Sequence, residues 1–407
     1  MQQATEMNGV TLDQSPDQSA EYIQCLQSMV HSHATLKQKG FIIEQLPTSD
    51  LERKKRCQRC CRALNTAKPK KTPEQRRSSS SPTRDGPTTA STYRDRTPPA
   101  KPSSGSSTQT RNLCEDDAWV PAPAASENKK NANNAKNQCK YHDGEVDRKT
   151  RQWTCCNKPA FTKPCKTMDI HDPRQYKPGE LEKNWLYHHT PLAIRQSRAR
   201  IAVVFDCEMG VTEAGESELI RVSVVDYFTS DILLDSLVWP DAKMSSLNTP
   251  FSGVSWKALN DARRNRTCIF GREKARKAVW SLISPETIVI GHGANNDLNI
   301  LRWIHPSIVD TLLVEQEFKE MERLSAAMAE EAANVLAQQN GKEVVDLQEV
   351  EVEDKPKEGG LSLKKLAKER LDRAIQLKGK GHDSIEDAVA TRDILHWHVA
   401  RKLQTRP

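Results

Sequence analysis

Hydrophobic positions are distributed unevenly along this chain. From Arg200 onward, short apolar runs recur in the rhythm of strands and helices. IAVVFDCEM, ELIRVSVVDYF and DILLDSLVW predict three strands separated by turn-like or charged breaks. GREKARKAVWSLI then predicts a helix, TIVIGH a short buried strand, NDLNILRWI a helix and SIVDT another short strand. LSLKKLAKERL and SIEDAVATRDILHWHVARKL predict the last two helices. Three strands followed by alternating helix and strand indicate an α/β domain with a mixed sheet, spanning 198–403.

The rest of the chain reads differently. An N-terminal segment, 1–56, is partly helical by expectation, with apolar residues from Glu21 to Leu46 (Tyr22, Ile23, Leu26, Met29, Val30, Leu36). Residues 66–137 are rich in Pro, Ser, Thr, Lys and Arg, then Asn and Ala, and bury too little apolar surface to order themselves. An insertion over 315–360 interrupts the α/β domain. Its first half, EQEFKEMERLSAAMAEEAANVLAQQ, is a strong helix former, and its second half is acidic and loop-like. A surface insertion of that length is thermodynamically tolerable. No repeat at solenoid spacing is present.

Composition agrees with this division. The chain has 407 residues, 36% of them hydrophobic, 22 prolines and a mean hydropathy of −0.72. Its length suggests roughly two or three domains. No apolar run approaches the ~20 residues of a membrane span. The polar, mildly acidic N-terminus lacks the pattern of a secretory signal. The expectation is a protein neither secreted nor in the membrane. Net charge is a modest +7, but residues 51–111 carry sixteen Lys/Arg against four Asp/Glu, and residues 315–358 carry five against thirteen. A basic arm of this kind commonly meets nucleic acid. The runs ERKKR (52–56) and KPKK (68–71) add an expectation of the nucleus, with the cytoplasm as the other location.

Candidate chemistry begins at Phe205-Asp206-Cys207-Glu208-Met209. Side chains alternate along a strand, so Asp206 and Glu208 share a face and Cys207 takes the opposite, packed one. Two carboxylates ending an apolar strand suit a divalent cation such as Mg²⁺ or Mn²⁺. Next, Gly291-His292-Gly293-Ala294-Asn295-Asn296-Asp297-Leu298 follows a strand and opens a helix. That places Asp297 in the first helical turn, where capping alone would also account for it. Third, Gly381-His382-Asp383-Ser384-Ile385-Glu386-Asp387-Ala388 puts a loop histidine before a helix. Ser384 and Asp387 have capping-box spacing, while His382 has the chemistry of a general base. His292 reads as a backbone-bonding turn histidine, and Asp310 as a cap for the segment after it.

FDCEM, GHxxxNDL and GHDSxEDA, in this order, resemble the three Exo motifs of the DEDDh exonucleases, and most closely the eukaryotic RNA exonuclease (REX) branch. LSLKKLAKERL resembles the same branch. The resemblance covers about residues 200–403. It implies an RNase H-like mixed sheet flanked by helices and 3′→5′ hydrolytic release of nucleoside 5′-monophosphates from RNA, with single-stranded 3′ ends as partner. It also implies that Asp206, Glu208, Asp297 and Asp387 hold two Mg²⁺ or Mn²⁺ ions and that His382 is the catalytic histidine. Two cations so held stabilise attacking and leaving oxygens of an in-line displacement. Met209 is a candidate apolar surface for the terminal nucleotide, with core packing as its other reading. Lys378 and Lys380 are candidate phosphate contacts, or a solvated loop. Two other readings stand beside this one: a DNA exonuclease of the same superfamily, and a non-catalytic, zinc-dependent RNA or protein adaptor.

The eleven cysteines cluster. Without a secretory signal, clustered cysteines read as metal ligands before disulfides. Cys57 and Cys60, then Cys139, His142, Cys155, Cys156, Cys165 and His171, give eight candidate ligands, enough for two tetrahedral structural zinc sites. CKYHDG…WTCC…PCKTMDIH resembles the zinc segment preceding the nuclease domain in some REX relatives and a CHORD-type zinc module. The expected module is 57–172, interrupted by 66–137. Neighbouring side chains diverge, so Cys155 and Cys156 are expected to serve separate zincs, and Cys61 is an alternative to Cys60. Cys25, Cys114, Cys207 and Cys268 read as structural or incidental.

Overall fold

The computed structural model describes residues 6–7, 10–11, 16–64, 138–147, 149–192, 199–339, 358–377, 379 and 381–405. The chain divides into two compact units, of which one includes Met1–Leu51 and Tyr176–Pro407 and the other Glu52–Glu115 and Val120–Gln175. The expected disorder of 66–137 and the acidic loop of the insertion lie almost wholly outside the described residues. Among the described residues, no helix is long and apolar enough to cross a membrane.

The first unit is built on a seven-stranded mixed sheet. Its strands are β1 (Ala202–Thr212), β2 (Ser217–Asp226), β3 (Ile232–Trp239), β4 (Met244–Ser246), β5 (Ile269–Phe270), β6 (Ile288–Gly291) and β7 (Ile308–Asp310). The order is β5-β3-β2-β1-β6-β7, with β4 pairing the far end of β1. β1, β2 and β3 form an antiparallel meander, while β6 runs parallel to β1 and β7 parallel to β6. This is the RNase H-like mixed sheet. The three long predicted strands are its centre and the two short ones its parallel side.

Helices cover both faces. They are α1 (Ala20–Gln27), α2 (His33–Gln38), α3 (Trp256–Arg264), α4 (Arg272–Trp280), α5 (Asn295–Ile300), α6 (Thr311–Gln339), α7 (Leu363–Leu371) and α8 (Ser384–Gln404). The alternation of β1 decides which helix meets which face. Val203, Phe205 and Cys207 pack with Ala275 and Val279 of α4 and Leu298 of α5. Ala202 and Val204 pack with Tyr22, Cys25 and Leu26 of α1 and with Ala388, Leu395 and Val399 of α8. The N-terminal segment thus contributes to this unit's core. Its predicted helical stretch is two short helices, each capped by a serine: Ser19 accepts from the Tyr22 N–H, and Ser32 from the Thr35 N–H.

The insertion begins later than its sequence suggests. Val314, Glu315 and Phe318 on the first turns of α6 are buried. Glu315 accepts both guanidinium hydrogen bonds of Arg370 on α7, at 3.0 Å each, and bonds His398 Nε2 on α8 at 2.9 Å. The Arg370 guanidinium also lies 4.6 Å from the Trp397 ring centre and 5.0 Å from that of Phe318. Three helices are therefore joined at one buried carboxylate, and only beyond Phe318 does α6 become a surface helix.

Burial alone would raise the Glu315 pKa, but the His398 and Arg370 hydrogen bonds outweigh it and hold it at about 2, against an ordinary 4.5. A depressed carboxylate pKa stabilises the fold above the ordinary value, and that stability is lost as pH falls from 4.5 through about 2. Glu315→Ala leaves Arg370 buried without its partner. Urea titration at neutral pH is expected to show a loss of about 3–5 kcal/mol, and the variant's stability should respond less than wild type's to acidification below pH 4.5.

Candidate functional site

Asp206 and Glu208 continue the even-numbered face of β1 beyond Val204, toward the start of α8. A bulge between Glu208 and Met209 breaks the β1–β2 register just after the pair. Gly210 follows because β4 crosses closely there: a Cβ would come within 2.7 Å of the Ser246 carbonyl oxygen. Asp297 projects from the first turn of α5, and Asp387 from the first turn of α8. Three of the motif carboxylates, Glu208, Asp297 and Asp387, are buried; Asp206 is half-buried.

These groups influence one another electrostatically. Burial, then repulsion from Asp297, Glu208 and Asp387, pushes the Asp206 pKa well up. Burial and the nearby Asp387 push Glu208 to about 8. Burial, then the charge of Asp310, pushes Asp297 to about 7. Asp387 is also raised, chiefly by burial. Arg221 stands opposite Glu208 in the β1–β2 register and partly offsets this charge. It is itself committed to Asp235, through bonds of 2.8 and 2.9 Å, and to Asp383, at 3.1 Å. Oε1 of Glu208 and Oδ1 of Asp387 are buried with no hydrogen-bond partner. Buried anionic oxygens left without donors fit a hard cation, and an all-carboxylate donor set fits Mg²⁺ or Mn²⁺.

His382 is half-exposed, with Nδ1 3.5 Å from Asp387 Oδ2. Two sides hold its loop. The His382 N–H donates to the Phe251 carbonyl, and Gly381 lies so close to Gly253 that a Cβ would meet its nitrogen at 2.6 Å. On the other side, Arg221 and Ser223 of β2 bond Asp383 and Ser384, the serine pair at 2.6 Å. A groove of about 730 Å³ adjoins His382, between α3 residues Ala258 and Ala262 and the β2–β3 residues Arg221, Asp235 and Leu237.

Several sequence expectations change here. Asp383, not Ser384, caps α8, its carboxylate accepting from the Ile385 N–H. Ser384 instead spans to β2, and its spacing from Asp387 is not a capping box. Met209 packs against the core, half-buried, as its other reading had it. Lys378 and Lys380 lie outside the described residues. His292 bonds Thr311 and the Leu361 carbonyl, as a turn histidine should. Asp310 accepts from the Gly293, Ala294 and Leu312 N–H groups, fixing the second motif as well as the start of α6. Cys207, read as packed, also lies beside Asp297, where its backbone partly offsets the rise that burial imposes on that carboxyl. Gln376 donates to Asp387 Oδ2 at 3.0 Å. No local pattern singles out Cys207, Gln376 or Arg221; their roles come from which elements meet.

The second unit gathers the eight cysteine and histidine candidates into two groups of four. Cys57, Cys60, Cys139 and His171 form one, and His142, Cys155, Cys156 and Cys165 the other, the ligand atoms of each lying within 4.8 Å of one another. Cys57 and Cys139 sulfurs are 3.7 Å apart, and those of Cys155 and Cys165 3.6 Å. A tetrahedron with Zn–S bonds of ~2.3 Å separates its sulfurs by about 3.8 Å, so both groups fit zinc. Contact between the two sulfurs pulls the Cys57 thiol down and pushes the Cys60 thiol up. Cys155 and Cys156 belong to one group, contrary to the expectation. They sit on a turn in which the Asn157 N–H returns to the Trp153 carbonyl at 2.8 Å, so strand-like divergence does not apply. Cys60, not Cys61, joins the first group; Cys61 is in a disulfide.

Raised carboxylate pKa values have a definite sign. They favour the protonated form in the fold, so the metal-free protein loses stability as pH rises from the ordinary 4.5 through about 8 at Glu208, and from 3.8 through about 7 at Asp297. Mn²⁺ or Mg²⁺ should therefore raise the melting temperature more at pH 8 than at about pH 5. Glu208→Gln should raise the metal-free melting temperature at pH 8 and remove most of the metal response. Thermal melts with and without metal check both.

No protein-family model matches the chain. RNA exonuclease 3 of Candida albicans is 30% identical over 274 residues, covering 66% of this chain and 55% of that protein. RNA exonuclease 3 of Eremothecium gossypii is 30% identical over 271 residues (63% and 57%), and that of Saccharomyces cerevisiae 28% over 269 (64% and 54%). The chain thus spans little more than half the length of these relatives. Among solved structures, the Neurospora crassa Pan2 catalytic unit matches at 15% identity and a TM-score of 0.34, over 58% of this chain and 37% of that one, a likeness too slight to carry an argument. Over 66% of its length, this chain is a homologue of proteins named RNA exonuclease 3.

Proposed function

We propose that this chain is a metal-dependent 3′→5′ exoribonuclease that releases nucleoside 5′-monophosphates from single-stranded 3′ ends. The observation that carries the reading is the meeting of Asp206, Glu208, Asp297 and Asp387, with buried, donorless oxygens on Glu208 and Asp387. The names of the relatives support RNA as the substrate.

Asp206, Glu208, Asp297 and Asp387 would hold the divalent cations. Such ions supply charge stabilisation for the scissile phosphate when bound. The chain's own residues do the rest. Arg221 and Asp383 fix the loop that presents His382. The His382 imidazole takes the proton of the attacking water as general base. Asp387, 3.5 Å from Nδ1, orients the ring. The groove beside His382 gives an extended strand room to approach.

In the second unit, the two four-ligand groups support two structural zinc ions. Metal analysis of the purified chain is expected to find two equivalents of zinc, falling to one in Cys57→Ser or Cys165→Ser. Zinc content unchanged in both variants would overturn the assignment.

The reaction is tested by a time course on 5′-labelled single-stranded RNA and matched DNA, with Mg²⁺ or EDTA, for wild type and Asp206→Ala. The expected result is a Mg²⁺-dependent ladder shortening from the 3′ end of RNA, absent in the variant. Equal or faster loss of DNA would remove the RNA assignment. Degradation of neither by folded, metal-loaded protein would favour a non-catalytic adaptor.

A further inference from the structure

Phe161 is 87% exposed, more than any other large hydrophobic side chain among the described residues. It sits on a turn in which the Thr162 N–H donates to the Pro159 carbonyl at 3.0 Å. The two carbonyls flanking it are both tied down. Ala160 O accepts from Trp153 Nε1 at 3.0 Å, and Thr162 O pairs with His142 Nε2 at 3.1 Å. The same two rings stack on each other, with centroids 4.1 Å apart and planes 7° from parallel. A stacked ring pair thus grips the backbone on both sides of Phe161. An aromatic side chain left in water by a rigid turn has no folding role there, and holding it still lowers the entropy lost on binding.

Its surroundings say what it would bind. Residues 149–166 contain five Lys/Arg and no Asp or Glu. Lys149, Arg151, Lys158, Lys163 and Lys166 are all exposed, and only Lys166 forms an ion pair among the described residues, with Asp143. Arg151 lies across from Ala160, whose N–H donates to the Arg151 carbonyl at 3.0 Å, so its backbone is next to the Phe161 turn. Lys158 and Lys163 flank that turn in sequence. An acidic peptide would pair with the cations, but it offers no planar group to the ring. A single-stranded nucleic acid offers both, with bases to stack and phosphates to pair.

We propose that this face of the second unit, centred on Phe161 with Arg151, Lys158 and Lys163, is a stacking platform for single-stranded RNA, separate from the carboxylate site. The proposal rests on the RNA reading above for the choice of nucleic acid. It uses a hydrogen-bonded turn and a charge pattern that the carboxylate site does not share.

The test is binding of fluorescein-labelled single-stranded RNA to the full chain carrying Asp206→Ala, read by anisotropy across a salt series. Adding Phe161→Ala is expected to weaken binding about ten-fold at every salt concentration. Phe161→Trp should restore it, since a ring suffices. Lys158→Gln with Lys163→Gln should instead flatten the slope of log affinity against log salt, by roughly 0.7 per residue. Otherwise wild-type Phe161→Ala should still hydrolyse a p-nitrophenyl ester of a nucleoside 5′-monophosphate at the parent rate.

Unchanged RNA affinity in Phe161→Ala would overturn the platform while leaving the exonuclease reading intact. Phe161-dependent binding of polyglutamate as tight as that of RNA would also overturn it, in favour of an acidic protein partner. Phe161-dependent RNA binding by a wild-type chain that degrades no RNA would support the platform and overturn the exonuclease reading alone.

Discussion

Four carboxylates occupy a place in which four negative charges are not stable together. Burial raises all four pKa values, repulsion within the cluster adds to it at Asp206 and Glu208, and Arg221, shared with Asp235 and Asp383, offsets only part of the charge. The rest of the first unit is arranged so that this cluster cannot relax. β1 is paired with β6 up to Val204 and with β2 along Asp206 and Glu208, so the two carboxylates cannot swing away with their strand. α5 is fixed through Asp310, and α8 through β2. A fold that stores repulsion in this way is prepared for a cation, because the cation removes the repulsion and supplies partners for the donorless oxygens.

The Glu315 site is the counterpart. It too is a buried carboxylate, yet its pKa falls, because Arg370 and His398 satisfy it. The comparison separates structural from chemical burial. A carboxylate that is paired and hydrogen-bonded fastens α6, α7 and α8 together. Carboxylates brought together without enough donors mark a place where something else binds. The first arrangement also serves the second, since α8 carries Asp387 and its preceding loop carries His382.

The second unit divides its chemistry along the same physical lines. Thiolate and imidazole groups suit a borderline-soft ion, whereas the carboxylates of the first unit suit a hard one. Its small strands and turns bury few large side chains, chiefly Trp153 and Tyr141. In so small a unit, crosslinks through metal would do the work that a core does elsewhere. They would also hold His142, whose other ring nitrogen steadies the turn beneath Phe161.

Much of this was legible in the sequence. Strand alternation put Asp206 and Glu208 on one face, and the order of three short motifs named Asp297, His382 and Asp387. Alternation and motif order are local properties, so a linear string carries them. The eight zinc candidates were likewise visible as residue types, but not their division into two fours, because pairing Cys139 with Cys57 and Cys60 spans a long stretch of chain. Tertiary structure alone decided that Arg221 braces the histidine loop, that Ser384 reaches β2 instead of capping its helix, and that Glu315 belongs to the core. Each of these depends on elements distant in sequence meeting within a few ångströms. Periodicity fixes which way a side chain faces; only packing fixes what it faces.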